Sequence, residues 1–269
     1  QAAAIGFEAV YLSGGALAYQ YAVSEALLSL TEVADVARRV TARCPLPLIV
    51  DGGVGFGDPV HTTRALVELE RAGAAAVEIE DQVAPKRVSH HRGIEHLIPV
   101  GEMVAKIEYA AAARADPDLV IIARTGAVAN ESFEAAIDRA RAYREAGADA
   151  ILLVPGQADH WRRAPDEIDA PLVTFASMST RTAQEWTDLG WRVVLDPFSA
   201  QVVAHQAVER LYRAALEQTD ADAEAGGADG SGAAVPDPRA IMAGYRTLPG
   251  LAGLDELYDI ERATTEPGT

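Results

Sequence analysis

SFEAAIDRARAYREAGADAILLV, residues 132–154, is a helix that passes directly into a strand. Residues 132–146 repeat at the helical period, with apolar positions three and four apart. Asn130 or Glu131, ahead of Ser132, supplies a cap-type side chain at the helix start. Gly147 stands just past its end, where a left-handed residue most readily closes a helix. The apolar run 150–154 follows at once, too short for a helix and right for a buried strand. The same Ala-Gly-Ala device recurs at 72–74, again with a strand behind it.

Outward from this unit, short β-rich apolar runs fall at 8–12, 47–51, 75–80, 119–124, 172–175 and 192–195. Helical-period stretches lie between them at 30–42, 62–72, 100–114, 180–189 and 200–217, with Thr62 as a cap-type residue after a glycine loop. Strand, helix, strand in this order means a parallel sheet with crossover helices. Including 150–154, seven strands are read, whereas a TIM-type barrel needs eight. Gln1 to Gly6 read as the tail of a helix. The expectation is therefore an α/β fold, a (β/α)8 TIM-type barrel whose first strand lies upstream of residue 1. An open, doubly wound sheet is the alternative.

The barrel is expected to span 1–218. Residues 219–235 are acidic and Gly-rich with no apolar period, which reads as a solvated linker. Residues 236–269 recover a helical period through Ile241, Tyr245, Leu248, Leu251, Leu254, Leu257 and Tyr258. Such a tail is expected to pack on the barrel or, by preference, on a partner subunit.

Composition narrows the function. A chain of 269 residues, 49% hydrophobic, can build one large α/β barrel or two ordinary domains. Its net charge of −17 excludes nucleic acid and anionic membrane surfaces as partners, since both would repel it. Among 23 basic residues only Lys86 and Lys106 are lysines. An acidic, Ala-rich, Lys-poor chain suits a salt-adapted protein, although GC-rich coding gives the same preference for arginine. Cys44 is alone, so no internal disulfide forms, and its place between a helix and a strand suits a small buried residue rather than a reactive thiol. No apolar run approaches the roughly 18 residues of a membrane helix and no signal peptide opens the chain, so a cytoplasmic location is expected.

Barrel chemistry sits at the C-terminal ends of strands. There stand Ser13-Gly14-Gly15, the run from Asp51 to Asp58, Glu78 to Gln82, Arg124-Thr125 and Val154-Pro155-Gly156. The glycines at 53–57 let backbone N–H groups approach an anion, but the loop is neither a Walker loop nor a Gly-x-Gly-x-x-Gly turn. Asp51, Glu80 and Asp81 are converging carboxylates, hard oxygen donors that suit Mg²⁺. A loop cap for Asp51, and ion pairs with Lys86, Arg87 or Arg124 for the other two, are their plain structural roles. Arg124 ends an apolar strand, which is costly unless it is paired or bound to a ligand. The basic loop 85–93, with Lys86, Ser89, His90 and His91, has the character of a lid over an anionic substrate, bearing groups for proton transfer. His61, His96, His160 and His205 read as surface or cap residues.

Read together, Glu80-Asp81-Gln82-Val83-Ala84-Pro85-Lys86-Arg87 resembles the signature of the isocitrate lyase and phosphoenolpyruvate mutase superfamily. The segments 6–15, 49–57, 122–125 and 146–151 resemble further motifs of that superfamily in the same order. The resemblance implies a lyase-type enzyme that cleaves or decarboxylates a small 2-oxo or 2-hydroxy carboxylic acid through a Mg²⁺-stabilised enolate. It also implies a homodimer or homotetramer formed by exchange of a C-terminal helix. Carried over, Ser13, Gly14 and Gly15 hold the substrate carboxylate and Arg124 binds its oxygens. Asp51 and Glu80 hold Mg²⁺, directly or through water. Lys86, Ser89 and His90 belong to the gate and, with Arg124, to the catalytic set.

The chain departs from the pattern at several of these positions. The metal motif's second aspartate is Gly53 and its threonine is Val54. The acid of the early loop falls at Ser24, with Glu25 adjacent, and the aspartate after Ile-Ala-Arg-Thr is Gly126. Val154 replaces an acid or histidine, Ser177 a later asparagine, and Val88 the lid cysteine of the lyases or asparagine of the mutase. Losing that cysteine removes the ordinary isocitrate lyase proton donor. Glu78, on the same strand face as Glu80, is an additional acid. The second reading is therefore a catalytically impaired paralogue that binds a ligand or assembles with an active relative. An unrelated phosphate-binding barrel conflicts with the match at 80–87.

Overall fold

The fold is given by a computed structural model that describes residues 1–223 and 254–264. Among them, β1 (Val10–Leu12), β2 (Leu48–Asp51), β3 (Ala76–Glu80), β4 (Val120–Arg124), β5 (Ala150–Leu152), β6 (Leu172–Phe175) and β7 (Trp191–Leu195) form one sheet. Each strand pairs in parallel with the next in the chain. A doubly wound sheet reverses its order at a switch point and this one never does, so the winding is that of a TIM-type barrel.

The crossovers are helical: α1 (Ala2–Ile5), α2 (Gly14–Tyr21), α3 (Leu30–Thr41), α4 (Pro59–Arg71), α5 (Val100–Ala113), α6 (Ala127–Asn130), α7 (Phe133–Glu145), α8 (His160–Glu167), α9 (Ala183–Asp188) and α10 (Ser199–Ala223), with α11 (Leu254–Thr264) beyond. Gly73 and Gly147 take φ of 87° and 109°, the left-handed closure read from the two Ala-Gly-Ala segments. Two cap assignments are corrected. Asp58, not Thr62, caps α4 by accepting from the His61 N–H, with Pro59 at the first helical position. Ser132 itself, not Asn130 or Glu131, caps α7. The helix α8 was not expected, because its sequence is polar and holds Pro165. His160, read as a surface or cap residue, is buried, and its ring stacks on Phe133 at 4.0 Å.

Strand alternation sends side chains to two cores. Val50, Val77, Ile79, Ile121 and Ile151 meet the helices. Ile49, Ala76, Ile122, Ala150, Leu152, Val173 and Leu195 fill the inner face of the sheet. Glu78 and Glu80 follow Ala76 on that inner face, and Arg124 follows Ile122, so the charged groups stand on the apolar interior at the strands' C-terminal ends.

The compact unit that carries sheet and site spans Ala2–Gln201. The helix α10 runs on to Ala223, into the segment read as a linker. Residues 224–235, and the expected tail apart from α11, lie outside the described residues, as does the expected helix exchange. Among the described residues no helix is long and apolar enough to cross a membrane.

Candidate active site

The site is built on β3 and β4, where the register sets Glu80 opposite Arg124 and Asp51 opposite Glu78. Arg124 Nη1 lies 3.1 Å from Glu78 Oε1 and 3.5 Å from Glu80 Oε2, and Nη2 lies 3.7 Å from Glu95 Oε1. The guanidinium also sits over the Phe175 ring, 4.9 Å from its centroid. Tyr11 Oη donates to the other oxygen of Glu78 at 2.8 Å.

These acids do not share one protonation state. Burial is the largest influence on Glu78, the charge of Asp51 adds to it, and the carboxyl is pushed up to about 7 despite Arg124. Burial also acts on Glu80, but Arg124 and Lys86 outweigh it and hold that carboxyl down at about 2. Asp51 and Glu95 are both raised, chiefly by burial.

Asp51 ties two loops together. Its Oδ2 accepts the Gly14 N–H at 2.9 Å, and its Oδ1 accepts the Gly53 N–H at 2.9 Å. Ser13 is buried and caps α2, accepting the Ala16 N–H at 3.2 Å. Gly15 has no room for a side chain, because Phe198 and Glu25 stand over its Cα. Lys106, fully buried, donates to the Val54 carbonyl at 3.0 Å and steadies the glycine loop from beneath. A cavity of about 320 Å³ opens beside Asp51 and Lys86, with Leu28, Val33, Val54 and Phe56 as its apolar wall.

The basic loop is folded over the early turn at Glu25–Leu27. Lys86 Nζ lies 2.6 Å from Glu25 Oε1 and 2.6 Å from Glu80 Oε1. His90 Nε2 is 2.9 Å from Glu25 Oε1 while its Nδ1 is 2.6 Å from the Arg87 carbonyl oxygen. His91 Nε2 meets Ser24 Oγ at 2.8 Å. Of the residues expected to act, Gly14, Asp51, Glu80, Lys86, His90 and Arg124 are thus joined through shared partners. Ser89 is not, since its hydroxyl faces the Ile94 carbonyl within its own loop at 3.5 Å. Asp81 turns away from Glu80. It accepts from Tyr143 Oη at 2.8 Å, from Arg139 Nη1 at 3.3 Å and from the Gly126 N–H at 3.1 Å.

Tyr11, Phe175 and Glu95 were not singled out from the sequence. Strand position offered a signal for the first two. Glu95 had none, because it reaches Arg124 across a contact distant in the chain.

Mg²⁺ is the cation expected of Asp51 and Glu80, and the donors as arranged do not fit it. Both Asp51 oxygens accept backbone N–H groups. One Glu80 oxygen accepts from Gln82 Nε2 at 2.8 Å and the other lies against the Lys86 ammonium. Among the described residues, no three His, Cys, Asp or Glu side chains converge as a ligand set for a metal ion.

Known proteins resemble this chain in sequence and fold. The sequence profile of the family described as phosphoenolpyruvate phosphomutase matches residues 1–216. The 2-methylisocitrate lyase of Salmonella typhimurium is 40% identical over 220 residues, covering 77% of this chain and 72% of that one. The 2-methylisocitrate lyase of Aeropyrum pernix is 37% identical over 220 residues, covering 80% and 70%. The solved phosphoenolpyruvate phosphomutase of Streptomyces platensis subsp. rosaceus superposes with a TM-score of 0.82 at 26% identity, covering 98% of this chain and 90% of that one. A phosphonopyruvate hydrolase solved with oxalate and Mg²⁺ does so at 0.78 and 31% identity, covering 98% and 88%. A sheet wound in chain order, acids and an arginine at its C-terminal mouth, and a sequence match from the first residue to α10 converge on one conclusion: this chain belongs to the phosphoenolpyruvate phosphomutase family, within the superfamily that includes the isocitrate lyases.

Proposed function

We propose that this chain is a carbon–carbon lyase acting on a small 2-oxo or 2-hydroxy carboxylic acid through an enolate-like anion. The observation that carries the reading is Arg124, fixed on Phe175 at the mouth of the sheet with 19% of its side chain still open. A guanidinium presents a fork of donors to two carboxylate oxygens. Ser13, Gly14 and Gly15, opening α2, form a second pole for the ligand at a helix start, with the Gly14 N–H held by Asp51. The cavity beside Asp51 accommodates the remainder of a small acid. Relatives that are 2-methylisocitrate lyases support the same class of chemistry.

In such a cleavage a base takes the proton of the substrate hydroxyl, the carbon–carbon bond breaks as the new carbonyl forms, and its electron pair passes into the enolate. Glu78, pushed up to about 7 and bonded to Tyr11, is the acid–base group beside Arg124. Val88 has no exchangeable proton, so protonation of the enolate falls to the lid. His90, whose Nδ1 lies 2.6 Å from the Arg87 carbonyl oxygen and whose Nε2 lies 2.9 Å from Glu25 Oε1, is the lid side chain able to pass a proton. Ser89 adds a hydroxyl on the same loop once the lid opens or shifts.

The reading extends to a cytoplasmic homodimer or homotetramer joined through residues 236–269, and an excess of 40 acids over 23 bases supports solubility in high salt. Sedimentation velocity in low and high salt checks the assembly. For the activity, purified protein is assayed against a panel of 2-hydroxy di- and tricarboxylic acids and their 2-oxo counterparts, with oxalate binding followed by calorimetry. Release of a 2-oxo acid that oxalate inhibits is expected. Turnover of none of the panel, with no oxalate bound, would sink the reading.

A further inference from the structure

The same site carries a cation of its own. Lys86 Nζ stands 2.6 Å from Glu25 Oε1 and 2.6 Å from Glu80 Oε1, with its side chain only 8% exposed. Asp51 lines the adjoining cavity together with Lys86. This ammonium therefore occupies the space in which the nearest carboxylates converge. The remaining oxygens of Asp51 and Glu80 are held by the N–H groups of Gly14, Gly53 and Gln82. Gly53 adds no acid from the glycine loop, and a side chain begun there would meet nothing within 4 Å.

The use of lysine sharpens the point. The chain has 23 basic residues and only two are lysines. Both are at this site: Lys106 beneath the glycine loop and Lys86 between the carboxylates. Everywhere else positive charge is carried by arginine. A guanidinium is a broad planar fork, whereas an ammonium is a compact charge with three tetrahedral donors. The gap between Glu25 and Glu80 calls for the compact ion. The Lys86 ammonium donates to Glu25 Oε1 and lies against Glu80 Oε1 at the same 2.6 Å.

We propose that the Lys86 ammonium, clamped by Glu25 and Glu80, is the resident cation of this site and takes the place that a divalent metal ion would otherwise fill. The proposal rests on the reading of the site as one that stabilises an enolate-like anion. The lid then does two things at once, since the loop that closes the site also delivers its positive charge.

The test is a Mn²⁺ titration followed by the electron paramagnetic resonance of the free ion, on the full chain as wild type and as Lys86→Met and Lys86→Gln. Oxalate binding is measured in parallel by calorimetry, with EDTA and with Mg²⁺. Wild type is expected to bind Mn²⁺ only weakly, in the millimolar range, and oxalate affinity to differ less than about threefold between the two buffers. Either neutral variant, by freeing Glu25 and Glu80, is expected to gain at least about tenfold in Mn²⁺ affinity. Wild type binding Mn²⁺ in the low micromolar range overturns the proposal whether or not the variants fold, and so does a folded variant that gains nothing. Oxalate that binds in neither buffer tells instead against the lyase reading, while the Mn²⁺ titration still decides the cation.

Discussion

The carboxylate of Glu95 stands where a side chain on Gly126 would begin. A Cβ built on that glycine would overlap Glu95 Oε2, and Asn130 Nδ2 holds the same oxygen at 3.2 Å. Gly126 has an ordinary φ of −88°, so the glycine is needed here for space and not for backbone freedom. Glu95 thereby brings a carboxylate to Arg124 from the segment that follows the lid. It competes with any anionic ligand for that guanidinium. Gly126→Ala and Glu95→Gln should therefore both tighten oxalate, by roughly threefold to tenfold, as one negative charge leaves the neighbourhood of Arg124. Calorimetry checks this, and weaker binding in both variants would refute the competition.

Arg124 balances more than one buried acid. Replacing it with alanine leaves Glu78 with Tyr11 alone and Glu80 with Lys86 and Gln82, which should cost about 3–5 kcal/mol and lower Tm sharply. Arg124→Lys keeps the charge but loses the fork and the contact with Phe175. It should fold, yet bind oxalate at least about tenfold more weakly.

The two acids of β3 pull stability in opposite directions with pH. Glu78 is raised to about 7, so the folded state retains a proton that the unfolded chain gives up near its ordinary carboxylate value. Stability from this residue is complete at low pH and is lost as pH rises through about 7. Glu80 is lowered to about 2, so its contribution is present above the ordinary carboxylate range and is lost as pH falls toward 2. Glu78→Gln, which can still accept from Arg124, should raise Tm at pH 8, by a gain of up to about 3 kcal/mol that disappears near pH 4.5. Thermal unfolding across that range checks both sign and window.

Asp81 is a structural acid beside Glu80, the acid assigned to the proposed site. It is fully buried and holds Tyr143, Arg139 and the Gly126 N–H. Asp81→Asn should lower stability by about 2–3 kcal/mol, because a charge-assisted network is left half satisfied. Oxalate affinity of the folded protein should stay within about threefold of wild type. A large loss of affinity with no loss of Tm would reverse the assignment.

How far the sequence could be read depended on distance along the chain. Helix-to-strand junctions were legible because Gly73 and Gly147 each mark a left-handed closure within three residues of the feature they end. Arg124 was legible because a charge closing an apolar strand requires a partner. Asp81 misled, since it adjoins Glu80 in sequence while its carboxylate has partners of its own. The two-residue period of the strand already argued that neighbouring side chains turn opposite ways. Tyr11 and Phe175 offered only their place on a strand, and Glu95 was silent because its meaning lies in a partner distant in the chain. The role of Lys86 was hidden for the same reason: its second carboxylate, Glu25, is set by the closed lid.

Because the strands are laid down in chain order, the acids of the interior are synthesised before the arginine that pairs with two of them. Asp51, Glu78 and Glu80 leave the ribosome ahead of Arg124. Until β4 arrives, Lys86 against Glu80 is the basic side chain that this group of acids has beside it. Docking of β4 then brings the inner face the guanidinium that lies between Glu78 and Glu80.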